Sequence, residues 1–125
     1  MKNSAALLAR IALAVTSFAV VVLALMPDDV DTPTLVPSHV INHFAAFGFI
    51  ALLLRLGWKE AGWVVALFIA MAFGVLLELL QWTVTRDRTP SLTDVGLNLL
   101  GCGAGIILAP FAFRILSALS FEKAP

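Results

Sequence analysis

Residues 74–105, GVLLELLQWTVTRDRTPSLTDVGLNLLGCGAG, decide how the rest of the chain is read. Two apolar runs meet here across a short polar loop. Their strongly polar residues sit at the facing ends: Glu78 and Gln81 close the first run, and Asp94 and Asn98 open the second. A carboxyl group beside hydrocarbon costs kilocalories unless it is paired or lines a wet cavity, so each of these residues needs a partner or a task. Glu78 and Gln81, at i and i+3, share one helix face, and Asp94 and Asn98 do the same at i and i+4. On helices joined by so short a loop, the two faces are expected to meet.

Composition identifies the solvent. The chain has 125 residues, 61% hydrophobic and 13% charged, where a soluble domain carries about a quarter charged residues. Lipid bilayer therefore surrounds most of it. A formal net charge of zero gives no case for a nucleic-acid partner. The single cysteine, Cys102, excludes an internal disulfide and a multi-cysteine metal site. Lying between Gly101 and Gly103, it reads as a small packing residue. There is no internal repeat, and residues 1–125 read as one domain.

Working outward, four apolar runs cover about residues 5–26, 39–56, 61–82 and 92–119, and about 20 apolar residues suffice to cross a bilayer core. In the first run only Arg10 interrupts, placed to snorkel to the near interface. Its uncharged part, Ile11–Met26, exceeds the roughly 7–15 apolar residues of a signal peptide and lacks a small-x-small cleavage site near its end. A transmembrane helix is expected there, ended by Pro27. The second run is short, which snorkelling or local bilayer thinning accommodates. Pro110 is expected to kink the fourth, because a helix-interior proline removes a backbone bond and clashes with the preceding turn. The fold class is an all-α integral membrane protein, a bundle of four transmembrane helices.

Orientation follows from the basic residues. Lys2, Arg10, Arg55, Lys59, Arg114 and Lys123 fall on one side, and only Arg86 and Arg88 on the other. The positive-inside rule places both termini in the cytoplasm. Trp58 and Trp63 then flank the inner loop and Trp82 the outer end of the third helix, at the depths interfacial tryptophans favour.

This topology brings His39, His43, Glu78, Gln81, Arg88, Asp94 and Asn98 to one level, in the outer leaflet, and the inner half has no comparable set. Two readings follow: a small polar cavity open to the outside, or a buried ion pair of Glu78 with Arg88 or His43 that holds helices together. Asp94 has a local reading as well, since Ser91-Leu92-Thr93-Asp94 has the form of a capping box. His43 either hydrogen-bonds a neighbouring helix or, at the depth of the carboxylates, serves as acid, base or ligand. His39, one turn earlier, reads as interfacial. Arg86 and Arg88 suit headgroup anchoring or an anionic group. The candidate ligand-binding residues are thus Arg88, Glu78, Gln81, Asp94, Asn98 and His43.

For catalysis the candidates are His43, Glu78 and Asp94, a base with an orienting carboxylate. No nucleophile accompanies them: Ser91 reads as a cap, and Cys102 lies about three turns deeper. One or two histidines with two carboxylates can bind a metal, but the spacing matches no zinc signature such as H-E-x-x-H. Neither a metal nor a cofactor is expected. Gly101-x-x-x-Gly105 fits close small-residue packing, with Gly74 and Ala70 on the third helix as the expected facing surface.

The combined pattern His43-Phe44, Glu78-x-x-Gln81, Arg88-x-x-Ser91-x-x-Asp94 and Asn98-x-x-Gly101-x-x-x-Gly105 resembles the VanZ-like family of small bacterial membrane proteins, over about residues 39–109. Family members carry an Asp-Lys pair before the histidine helix, where this chain has His39-Val40, and the gap from Gln81 to Arg88 is about a residue longer. The resemblance implies a multi-pass protein of the bacterial cytoplasmic (inner) membrane. The family's founding member is linked to low-level teicoplanin resistance that does not rebuild the cell-wall precursor terminus. By that likeness an envelope lipid, a lipid-linked precursor or a lipoglycopeptide is the expected ligand. An enzyme acting on such a lipid-linked substrate and a structural helper subunit are the alternatives. Four helices polar at one end offer no continuous transport path unless the chain forms a homo-oligomer.

Overall fold

The computed structural model describes residues 3–26, 39–85, 89 and 91–121. They form α1 (Asn3–Leu25), α2 (His39–Gly57), α3 (Trp63–Val84) and α4 (Leu92–Phe121), with no strand among the described residues. All four helices are long and apolar enough to cross a membrane. Their limits follow the expected spans closely. α3 starts two residues later than the apolar run, because Gly62 is extended and acts as its N-cap. α4 continues as helix through Pro110.

Local chemistry sets the helix ends. At the close of α3 the chain turns extended at Thr85. There the Thr85 N–H and hydroxyl both donate to the Gln81 carbonyl, at 2.8 and 2.6 Å. At the start of α4 the Ser91 hydroxyl accepts the Asp94 N–H at 3.2 Å, satisfying one of the donors every helix start leaves orphaned. α2 ends at Gly57, whose carbonyl receives Arg10 Nε at 2.9 Å. The Arg10 guanidinium lies over the Trp58 ring, 4.7 Å from its centroid.

α2 is the central helix, packed most extensively on α4 and next on α1, with α3 leaning on both α4 and α2. Buried positions recur at helical spacing: Phe47, Ile50, Ala51 and Leu54 on α2, Ala66, Ala70, Gly74 and Leu77 on α3, Cys102 and Ala109 on α4. Large apolar side chains such as Phe18, Phe68, Leu76 and Ile107 point outward. Exposed surface of that kind would be a liability in water and is the normal face of a helix in lipid.

The contact between α2 and α4 is backbone on backbone. A methyl group on Gly105 would collide with the Gly48 carbonyl, and one on Gly101 with the Phe44 carbonyl. The small-residue stripe of α4 therefore faces α2, and not α3 as its sequence spacing suggested. The reason is Gly48, which thins α2 at the matching level. Gly74 has a different neighbour: a Cβ there would lie 3.0 Å from the Phe47 ring and 3.1 Å from Asn98 Nδ2. That glycine makes room for an aromatic ring and an amide.

Successive helices run antiparallel. The start of α1 meets the end of α2 at Arg10 and Gly57, and Ala9 packs with Leu53, Leu56 and Leu116 of α4. The opposite end gathers the close of α1, the start of α2, the close of α3 and the start of α4. The polar residues are there.

Candidate functional site

At this end polar contacts run in a continuous string across three helices. On α3, the face carrying Ala66, Ala70 and Gly74 reaches Glu78 one turn further on, so Glu78 points inward and is only 6% exposed. Its Oε2 accepts the Ser91 N–H at 3.4 Å, longer than a good hydrogen bond. Its Oε1 is buried with no hydrogen-bond partner among the described residues. Ser91 caps α4, and one turn into that helix Asp94 Oδ1 lies 3.0 Å from His39 Nε2. The His39 ring is tilted at 55° to that of His43, with centroids 4.3 Å apart. His43 Nδ1 in turn lies 3.0 Å from Asn98 Oδ1, and Asn98 is among the most deeply buried side chains in the protein.

The α4 polar face meets α2 more than α3. Asp94 and Asn98, on one face of α4, pair with His39 and His43, on one face of α2, residue against residue. Only Glu78 reaches from α3 to the start of α4. Gln81 turns elsewhere, donating its amide to the Ala24 carbonyl of α1 at 2.8 Å, where it satisfies a carbonyl of the last helical turn. The expectation that the polar faces of α3 and α4 meet thus holds for Glu78 and Ser91, and α2 takes the remainder. Close backbone packing of α2 on α4 is the cause.

The capping box is half formed. Ser91 serves the Asp94 N–H, while the Ser91 N–H turns to Glu78 and the Asp94 carboxylate is given to His39. Of the ion pairs expected for Glu78, the one with Arg88 lies outside the described residues, as does Arg86. His43, the other expected partner, is engaged with Asn98. The imidazole with a carboxylate at hydrogen-bond distance is His39.

His39 is the residue that sequence reasoning undervalued. It was placed at the interface because it opens its helix, and its ring is indeed exposed. Yet i−4 from His43 is the same helix face, and that spacing is the signal that joins the two rings. Together with Asp94 they present ligand atoms that all lie within 4.8 Å of one another. The expectation of no metal rested on linear motifs, and this set is assembled across two helices. Cys102 is buried and its Sγ sits 3.7 Å from the Phe47 carbonyl, deep in the packing between α2 and α4.

No curated protein and no solved structure matches the chain. A family model described as VanZ/LLP1 matches residues 7–114, a stretch that takes in most of α1, all of α2 and α3, and α4 as far as Arg114. Four membrane-length helices make this a multi-pass membrane protein, and the match over nearly its whole length means that the chain belongs to the VanZ/LLP1 family.

Proposed function

We propose that this protein holds an envelope lipid, a lipid-linked precursor or a lipoglycopeptide at the polar end of the bundle, in the outer leaflet of the bacterial inner membrane, and that such binding lowers teicoplanin susceptibility. The observation that carries this reading is Glu78 Oε1, buried without a hydrogen-bond partner among the described residues. An unsatisfied buried polar atom costs kilocalories, and a ligand hydroxyl or amine would meet that need. Arg88, between α3 and α4 in the chain, is the residue assigned to an anionic group. The outward orientation rests on the excess of Lys and Arg at the other end.

The test is susceptibility to teicoplanin and vancomycin in a sensitive host expressing wild type, Glu78→Gln, Arg88→Ala or Asp94→Asn, with membrane levels quantified. The reading expects wild type to shift teicoplanin alone and the variants to lose the shift at equal abundance. A wild type that shifts neither drug removes the resistance role. Variants that vanish from the membrane mark the cluster as structural.

The pair of His39 and Asp94 at 3.0 Å favours a second reading, acid–base chemistry on a lipid-linked substrate. His39→Gln or His43→Gln would then abolish turnover and leave substrate binding intact.

A further inference from the structure

We propose that His39, His43 and Asp94 form a binding site for one divalent transition-metal ion of the zinc type. The inference goes beyond ligand binding at Glu78 and does not depend on it.

The geometry is close to what such an ion needs. His39 and His43 lie one turn apart on α2 and face the first turn of α4, and the ligand atoms of the three residues lie within 4.8 Å of one another. Zinc–ligand bonds of about 2.0–2.1 Å at tetrahedral angles hold ligand atoms about 3.3 Å apart. His39 Nε2 and Asp94 Oδ1, at 3.0 Å, already have that spacing. The remaining separations, up to 4.8 Å, close with movements of about 1.5 Å in total, shared among rotations of the side chains. A bound ion would take the place of the hydrogen bond between His39 Nε2 and Asp94 Oδ1.

The surroundings suit the same task. Asn98 is buried, with only 1% of its surface exposed, and its Oδ1 lies 3.0 Å from His43 Nδ1, where it can accept a hydrogen bond from that nitrogen. This arrangement would leave Nε2 to face the ion, and outer-shell partners of this kind orient ligating imidazoles. The His39 side chain is 59% exposed and that of Asp94 17%, and both stand in the first turn of their helices. Two imidazoles select zinc, copper, nickel or cobalt over magnesium and calcium, which prefer all-oxygen sites. Three protein ligands leave a fourth position open for water or for an oxygen of a bound molecule.

The experiment uses tag-free full-length protein in detergent micelles, stripped with a chelator and titrated calorimetrically with Zn²⁺, with Co²⁺ as a visible-absorption probe. Wild type should take up one ion per chain, and Mg²⁺ in excess should not compete. His43→Ala and Asp94→Asn should each weaken Zn²⁺ binding by about a hundredfold, and Asn98→Ala by about tenfold, the range seen when an outer-shell partner is lost. His39→Gln alters an exposed side chain, so it carries the test even where the buried variants misfold, and it too should lose about a hundredfold. Folded wild type that binds neither Zn²⁺ nor Co²⁺ saturably overturns the proposal, and so does binding that His39→Gln leaves unchanged. The titration contains no lipid or glycopeptide, so its failure is separate from failure of the ligand reading.

Discussion

The two ends of the bundle treat their polar side chains in opposite ways. Where α1 begins and α2 ends, Arg10 donates to the Gly57 carbonyl and stacks on Trp58, and Arg55 donates to the Ala61 carbonyl. Cations thus meet the carbonyls that a helix end and its loop leave unpaired, the arrangement both hydrogen bonding and the helix dipole favour. At the other end Glu78 has one weakly held oxygen and one without a partner among the described residues, and His39 is exposed and Asp94 half-buried. One end ties loop and helix-end carbonyls to cations. The other gathers imidazoles and carboxylates.

That contrast can be broken at the element both ends share. Gly105→Val drives a branched side chain into the Gly48 carbonyl and should destabilise the bundle by about 3 kcal/mol or more, beyond ordinary overpacking, because backbone cannot step aside. Thermal unfolding in detergent would show both ends lost together. If unfolding is unchanged, α2 and α4 are not the common frame. A sharper test is Glu78→Met, which removes the orphaned oxygen at similar volume. Relief of that oxygen should outweigh loss of the long Ser91 contact and raise stability by about 1 kcal/mol, and a fall instead would mean that Glu78 is a structural residue. An effect of the same order belongs to the end where cations meet carbonyls: Arg10→Ala should cost about 1 kcal/mol through one hydrogen bond and one cation–π contact. An Arg10→Ala variant that is as stable as wild type would remove the distinction between the ends.

Much of this was legible in the amino-acid sequence. The four spans could be read from run length, because a bilayer leaves a helix little freedom in where its apolar stretch stops. The shared depth of His43, Glu78, Asp94 and Asn98 followed from rise per residue and antiparallel order. Partner choice was not legible. The sequence places α3 and α4 side by side, yet Asp94 and Asn98 turn to α2, since helix adjacency depends on how closely backbones approach. Gly48 gave no sign of its match to Gly101 and Gly105 until the three were seen at one level. Gln81 looked like part of a polar pocket because it shares a face with Glu78. It lies nearer the helix end, where the Ala24 carbonyl of α1 is the closer claim.

The glycine contact between α2 and α4 has a consequence for the site above it. His39, His43, Asp94 and Asn98 all belong to those two helices, whose backbones touch. Glu78 alone rides on α3, which leans against that pair by side chains. The imidazole and carboxylate ligands are therefore preorganised at the folding step, and little ordering entropy is left for an ion or substrate to overcome. A tilt of α3 would change the distance from Glu78 to that set while leaving the set itself undisturbed.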